Sequence, residues 1–276
     1  MCKTIVITGS TDGIGKLTAL NLAKRGHTIY VHGRSEKKVS SVVSEIKEAS
    51  NNKNIKAFVA DFSDLEAVSK LAAQIKKDIP KIDILINNAG IFKTLDVQNK
   101  NGLDIRIVVN YLAPYVLTNA ILSNLKKSGA PRIINLSSAA QAAVLEAVLI
   151  GKEQDSVNST YAQSKLALTM WSFHLAQKEP SIIVIAVNPG SLLNTKMANE
   201  AYGEHWSPAE KGVDILVDLA LSEDYVGDSG KYFDNDKGDP KGYFSQAHPD
   251  AYNEEKIKKL LDITSMVIDT HNLEGE

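Results

Sequence analysis

Thr4-Ile-Val-Ile-Thr8-Gly9-Ser-Thr-Asp-Gly13-Ile-Gly15 sets the architecture of this chain. Thr4–Thr8 is a short, mostly apolar run, as expected of a strand buried on both faces. The glycines follow at once, and Lys16-Leu-Thr-Ala-Leu-Asn-Leu-Ala-Lys-Arg25 reads as a helix ended by Gly26. Strand, glycine turn and helix in direct succession suit a pyrophosphate. Glycine lets backbone come close to it, and a helix N-terminus offers free N–H groups and a partial positive charge. A glycine cluster elsewhere would be a plain tight turn, but this context predicts a nucleotide.

The alternation continues outward from that stretch. Further strands are predicted at Thr28–His32, Ile55–Ala60, Ile82–Ile86, Arg132–Leu136 and Ile182–Val187, with Gly230–Phe233 as a last edge strand. Helices are predicted over Glu36–Ala49, from a Ser63 cap to about Lys77 before Pro80, and from about Leu103 through Asn110 to Leu125. Pro114 should kink that last one or break it locally. Two more follow, near 208–222 and Asn253–Ile268, and Asp234–Gly242 is rich in turn residues. Alternating strands and helices mean βαβ units with right-handed crossovers. The expected fold is α/β, a Rossmann-type doubly wound parallel sheet. Without a linker-like shift or a repeat, residues 1–276 read as a single domain with irregular substrate loops at about 139–160 and 191–210.

Composition narrows the function. The 276 residues are 43% hydrophobic with a formal net charge of −2, so no basic excess points to nucleic acid. The single cysteine, Cys2, excludes an internal disulfide and a thiol metal site. None of the histidines, His32 and His174 among them, has metal-ligand spacing, so no metal is expected and all six read as ordinary surface or core residues. The N-terminus lacks the shape of a signal peptide, and no apolar run reaches about 18 residues. A cytoplasmic protein without a membrane span is the expectation.

Tyr161 and Lys165 stand four residues apart in helix-forming sequence, so they share a face. A tyrosine titrates near ~10 and is a poor acid or base at neutral pH. An adjacent ammonium favours the phenolate and draws that value toward the working range. Taken alone, the pair could also be one polar turn of an amphipathic helix. Arg34 follows the second strand, where an adenosine ribose would arrive. An arginine there suits a 2′-phosphate and an acidic residue would suit a free hydroxyl, so Arg34 favours NADP, with NAD the alternative. Asp12 in the glycine loop counts against the phosphate.

Together these motifs resemble the short-chain dehydrogenase/reductase family over nearly the whole chain, most closely its retinol-dehydrogenase-like and protochlorophyllide-reductase-like branch. Thr8–Gly15 is similar to its TGxxxGxG motif, Asn87-Asn-Ala-Gly90 to NNAG, and Asn188-Pro-Gly190 to the turn beside the nicotinamide. Arg34 and the long gap between Ser138 and Tyr161 carry the branch. The resemblance implies a catalytic tetrad of Asn110, Ser138, Tyr161 and Lys165. Tyr161 would exchange a proton with a carbonyl or alcohol oxygen, and Lys165 would tune it and hold the ribose. Ser138, rather than neighbouring Ser137, would stabilise developing charge, and Asn110 would hold a relay water. The cofactor, NADP(H) for preference, would lie along Gly9, Ser10, Asp12, Gly13, Ile14 and Gly15, then Arg34, Asp61 and Phe62, with Asp61 near the adenine. Asn88, Ala89 and Gly90 would follow, with Tyr161 and Lys165, and then Pro189, Gly190, Leu192 and Thr195. Four residues separate Gly190 from Thr195, one more than in many members, and Asn194 could take the threonine's place.

The implied activity is interconversion of a carbonyl and an alcohol by hydride transfer. Val144-Leu-Glu-Ala-Val-Leu-Ile150 suggests an apolar wall and a fairly hydrophobic small-molecule substrate, though the same residues could pack on the core. The rival is a catalytically silent dinucleotide sensor or scaffold, but such proteins typically lose the tyrosine or lysine present here. Members often pair subunits through the helices containing Asn110 and Tyr161, so a homo-oligomer is the matching expectation.

Overall fold

The apolar runs become the strands β1 (Thr4–Ile7), β2 (Thr28–Gly33), β3 (Ile55–Val59), β4 (Ile84–Asn87), β5 (Arg132–Leu136) and β6 (Ile183–Asn188), joined by β7 (Lys231–Asp234) and β8 (Tyr243–Ser245). The computed structural model describes residues 1–195, 199, 203 and 205–270, so part of the expected 191–210 loop lies outside the described residues. One sheet holds all eight strands in the order β3-β2-β1-β4-β5-β6-β7-β8. Every pairing is parallel except that of β7 with β8. Chain order reverses between β1 and β4, and in such sheets the crevice outside the strand carboxyl ends at that reversal is the ligand position.

Both faces are covered, which is why β4 and β5 are buried at every residue. Side chains alternate between two cores. Ile5 and Ile7 pack with α1 (Gly13–Lys24) and α2 (Glu36–Ser50), whereas Val6 packs with α3 (Leu65–Asp78) on the opposite face. The helix over 105–125 lies on that second face. It comprises α4 (Ile105–Ile107), a π-helical turn (Val108–Leu112) and α5 (Ala113–Leu125). The expected local break takes this form: Pro114 has no N–H, and the Ala113 N–H reaches back five residues to the Val108 carbonyl. Asn110 sits inside the π turn. The run Ile105–Leu125 is long and apolar enough to cross a bilayer, contrary to the reading of the sequence, and 72% of its apolar window is buried within the fold.

Further α-helices among the described residues are α6 (Glu146–Leu149), α7 (Val157–Lys178), α8 (Ala209–Leu221) and α9 (Glu254–Thr270). Two local expectations need correction. Asp64, not Ser63, caps α3, because its carboxylate accepts the Glu66 N–H. β7 is not the edge, since a hairpin brings β8 alongside it. Of the two readings of Val144–Ile150, packing on the core is the one seen: Val148 and Leu149 are buried, Val144 and Ile150 pack against the same cluster, and of its apolar residues only Leu145 is well exposed. Finally, α9 lies over α7 and α6. Ile257, Leu260, Val267 and Ile268 join the core there, and Tyr111 and Thr264 hydroxyls meet at 2.7 Å.

Candidate active site

The β1–α1 loop is shaped by residues distant in sequence. Gly9 has φ +62°, and a Cβ on it would stand 2.6 Å from the Ala89 Cα. Gly15 has no room for a side chain either: its Cβ would fall 2.3 Å from the Asn88 Nδ2. That amide donates to the carbonyls of Thr8 and Gly9 at 2.9 and 2.8 Å, and the Ala89 N–H donates to the Thr8 hydroxyl. Asn88 thus clamps the glycine loop to the end of β4. Asp12 serves as the N-cap of α1, accepting from the Gly13 N–H. The N–H groups of Ile14 and Gly15 lie in the first turn of the helix and have no intrahelical acceptor. The Ile14 side chain packs toward Gly212. The Ser10 hydroxyl is fully buried and donates to the Ile7 carbonyl, so its side chain shapes the loop.

Arg34 is exposed just beyond β2 and forms no ion pair among the described residues. Asp61, also exposed, accepts from the Ser63 N–H and hydroxyl. The Phe62 side chain is turned inward, with its ring centroid 4.3 Å from that of His32. A phosphate loop, an exposed arginine and an acidic turn therefore follow one another along the carboxyl ends of β1, β2 and β3. That donor set fits a dinucleotide.

Lys165, Tyr161 and Asn110 come together beside this cradle, and Ser138 follows the carboxyl end of β5. Lys165 is 4% exposed, its ammonium donates to the Leu136 carbonyl at 2.7 Å, and it stands 5.6 Å from the Tyr161 ring centroid. Burial pushes the Lys165 ammonium down to about 8. Asn110 is fully buried and holds the chain after Gly90: its amide donates to the Ile91 carbonyl and the Ser164 hydroxyl, and its oxygen accepts the Ile91 N–H. A Cβ on Gly90 would lie 3.4 Å from the Asn110 Oδ1 and 3.5 Å from the Lys165 Nζ. Phe92 packs edge-on against Tyr161 at 4.9 Å between centroids. The two serines point different ways. The Ser137 hydroxyl is buried against the Lys165 carbonyl and Thr169 hydroxyl, whereas the half-buried Ser138 hydroxyl accepts only the Ala140 N–H among the described residues.

The far side of the crevice is the Asn188-Pro189-Gly190 turn. Gly190 has φ +129° and Leu192 φ +47°. Thr195 lies across from the glycine loop, with two of its atoms 3.8 Å from where a Gly13 Cβ would be. Asn194 is exposed, and its N–H bonds the Ser207 carbonyl. Reading the sequence missed what supports this side. The Asn235 amide donates to the Pro189 carbonyl, and Asp236 accepts from Asn188 and from the Ser191 N–H and hydroxyl. Burial alone would push the Asp236 carboxyl up, but the Ser191 and Asn188 hydrogen bonds bring it below its ordinary range. Tyr232 on β7 was missed too, and its hydroxyl donates to the Ser138 carbonyl at 3.0 Å. No local pattern marks these residues; the only signal was a turn-rich patch after an apolar strand.

Comparison with known proteins agrees with this geometry. The family described as short chain dehydrogenase matches residues 3–205. Retinol dehydrogenase 13 of Homo sapiens is 31% identical over 278 residues, covering 94% of this chain and 82% of the relative. Polyprenol dehydrogenase of Homo sapiens is 30% identical over 259 residues, covering 85% of this chain and 77% of the relative. A chain of Escherichia coli CFT073, assigned as a short chain dehydrogenase and solved with NADPH, superimposes with a TM-score of 0.70 at 26% identity, covering 84% of this chain and 95% of that one.

Proposed function

This chain belongs to the short-chain dehydrogenase family, and we propose that it is an NADP-preferring oxidoreductase that interconverts a carbonyl and an alcohol with Tyr161 as acid and base. The observation that carries the reading is the buried Lys165 ammonium beside the Tyr161 ring, next to a glycine loop at the sheet reversal. When bound, the nicotinamide supplies or accepts the hydride. The chain supplies position and charge. The first turn of α1 offers N–H groups to the pyrophosphate, and Arg34 stands ready for a 2′-phosphate. Tyr161 gives its proton to the carbonyl oxygen during reduction and takes one back during oxidation. Lys165, with its cation near the ring, stabilises negative charge on the Tyr161 oxygen. Ser138 donates to the substrate oxygen. Asn110 keeps the chain after Gly90 open beside Lys165 and, by family likeness, holds a water that refills the proton.

The substrate is a fairly hydrophobic alcohol or its carbonyl. The names of the retinol and polyprenol dehydrogenases support this, as does Phe92 against Tyr161. The test is a panel of apolar aldehydes, ketones and alcohols followed by NADPH absorbance. Tyr161→Phe should abolish turnover, a loss of at least about a hundredfold, while NADPH still binds. Turnover surviving in that variant would move the acid to another residue.

A further inference from the structure

We infer that His32 is a positioning residue for the dinucleotide, its ring tying the glycine loop under the pyrophosphate to the end of β3 under the adenine. The inference rests on the dinucleotide reading above. His32 lies on β2 and is 4% exposed. Its Nδ1 accepts the Gly9 N–H at 3.1 Å, and its Nε2 stands 3.1 Å from the Ala60 carbonyl. Because Nδ1 accepts, Nε2 carries the proton and donates to Ala60. One ring therefore pairs with both loops, each through backbone.

The rest of the residue reinforces the tie. The His32 N–H donates to the Ser10 hydroxyl at 3.0 Å, and its carbonyl accepts the Ser10 N–H at 2.9 Å. Phe62 packs against the ring from the β3 side, tilted by 32°. Gly9 is already fixed from the other side, by Ala89 and the Asn88 amide. Without an acceptor at the ring position, the Gly9 N–H would be left unpaired, and the loop would have to shift to satisfy it. Burial pushes the imidazole down to about 4, so the ring is neutral at physiological pH and Nδ1 remains an acceptor.

Asparagine and leucine separate this role from simple packing. His32→Asn keeps an amide oxygen where Nδ1 stands and can still receive the Gly9 N–H, although it fills less volume. His32→Leu fills volume and removes the acceptor. Binding of NADP⁺ would be measured by calorimetry on both variants and the unsubstituted protein, with urea unfolding to establish that each is folded. His32→Leu should weaken NADP⁺ binding about tenfold, with His32→Asn within about threefold of the unsubstituted protein. In turnover the loss should fall on KM for NADPH, with kcat at saturating cofactor little changed. Equal binding by the asparagine and leucine variants, or a loss confined to kcat, overturns the inference and leaves the dinucleotide reading intact. No NADP⁺ binding by the unsubstituted protein overturns both.

Discussion

Lys165 holds an ammonium where burial disfavours charge. The folded side chain keeps its proton only to about 8, against 10.5 for the free group. Between those values the unfolded chain binds more protons, so this group makes stability rise with pH across that window, and below it the buried cation is a constant cost. Activity should move the other way, because the cation serving Tyr161 is lost above about 8. The expected result is that kcat/KM for NADPH falls about tenfold per pH unit above that value. A flat profile from pH 8 to 9.5 would show that Lys165 keeps its charge in the working enzyme. Arg34 poses a simpler question. Arg34→Ala should erase a preference for NADPH over NADH of about tenfold or more, read as the ratio of dissociation constants. Equal affinities in the unsubstituted protein would remove Arg34 from the argument.

At the scale of elements, the hairpin of β7 and β8 holds the Asn188–Gly190 side of the crevice from behind. Tyr232 reaches the Ser138 carbonyl from β7, and the turn that follows β7 supplies Asn235 and Asp236 to the Asn188–Gly190 turn. Tyr232→Phe keeps the ring and removes one hydrogen bond. Its kcat should drop about threefold to tenfold with NADPH binding unchanged, measured in steady-state assays. The strands of the parallel sheet were legible in the sequence because central strands buried on both faces must be continuous apolar runs. β8 was not, being three residues with an exposed tyrosine and no period to read. The α3 cap was misread by one position because Ser63 and Asp64 are both good caps, and only the backbone conformation of the turn selects between them.

The molecule as a whole closes with its C-terminal helix. α9 packs on α7 and, through Thr264, meets the π turn that holds Asn110, in the two helices through which the family likeness suggested subunit pairing, and Leu260 is 3% exposed. Leu260→Ala should lower the unfolding free energy by about 2–5 kcal/mol in urea titration. A change under about 1 kcal/mol would mean that α9 adds little to the main core.

Order along the chain was fixed by sequence alone. Strand, glycine turn and helix each depend on residues a few positions apart, and so do the Tyr161–Lys165 spacing and the motif at each strand end. Short-range sterics and periodicity write such features locally. Facing was decided only by tertiary structure. That Ser137 turns to α7, that Asn88 clamps the glycine loop, that His32 meets both Gly9 and Ala60, and that Val148 joins the core all depend on which distant backbone arrives alongside. A buried polar group must find its partner across the packed layers, and those partners lie tens of residues away.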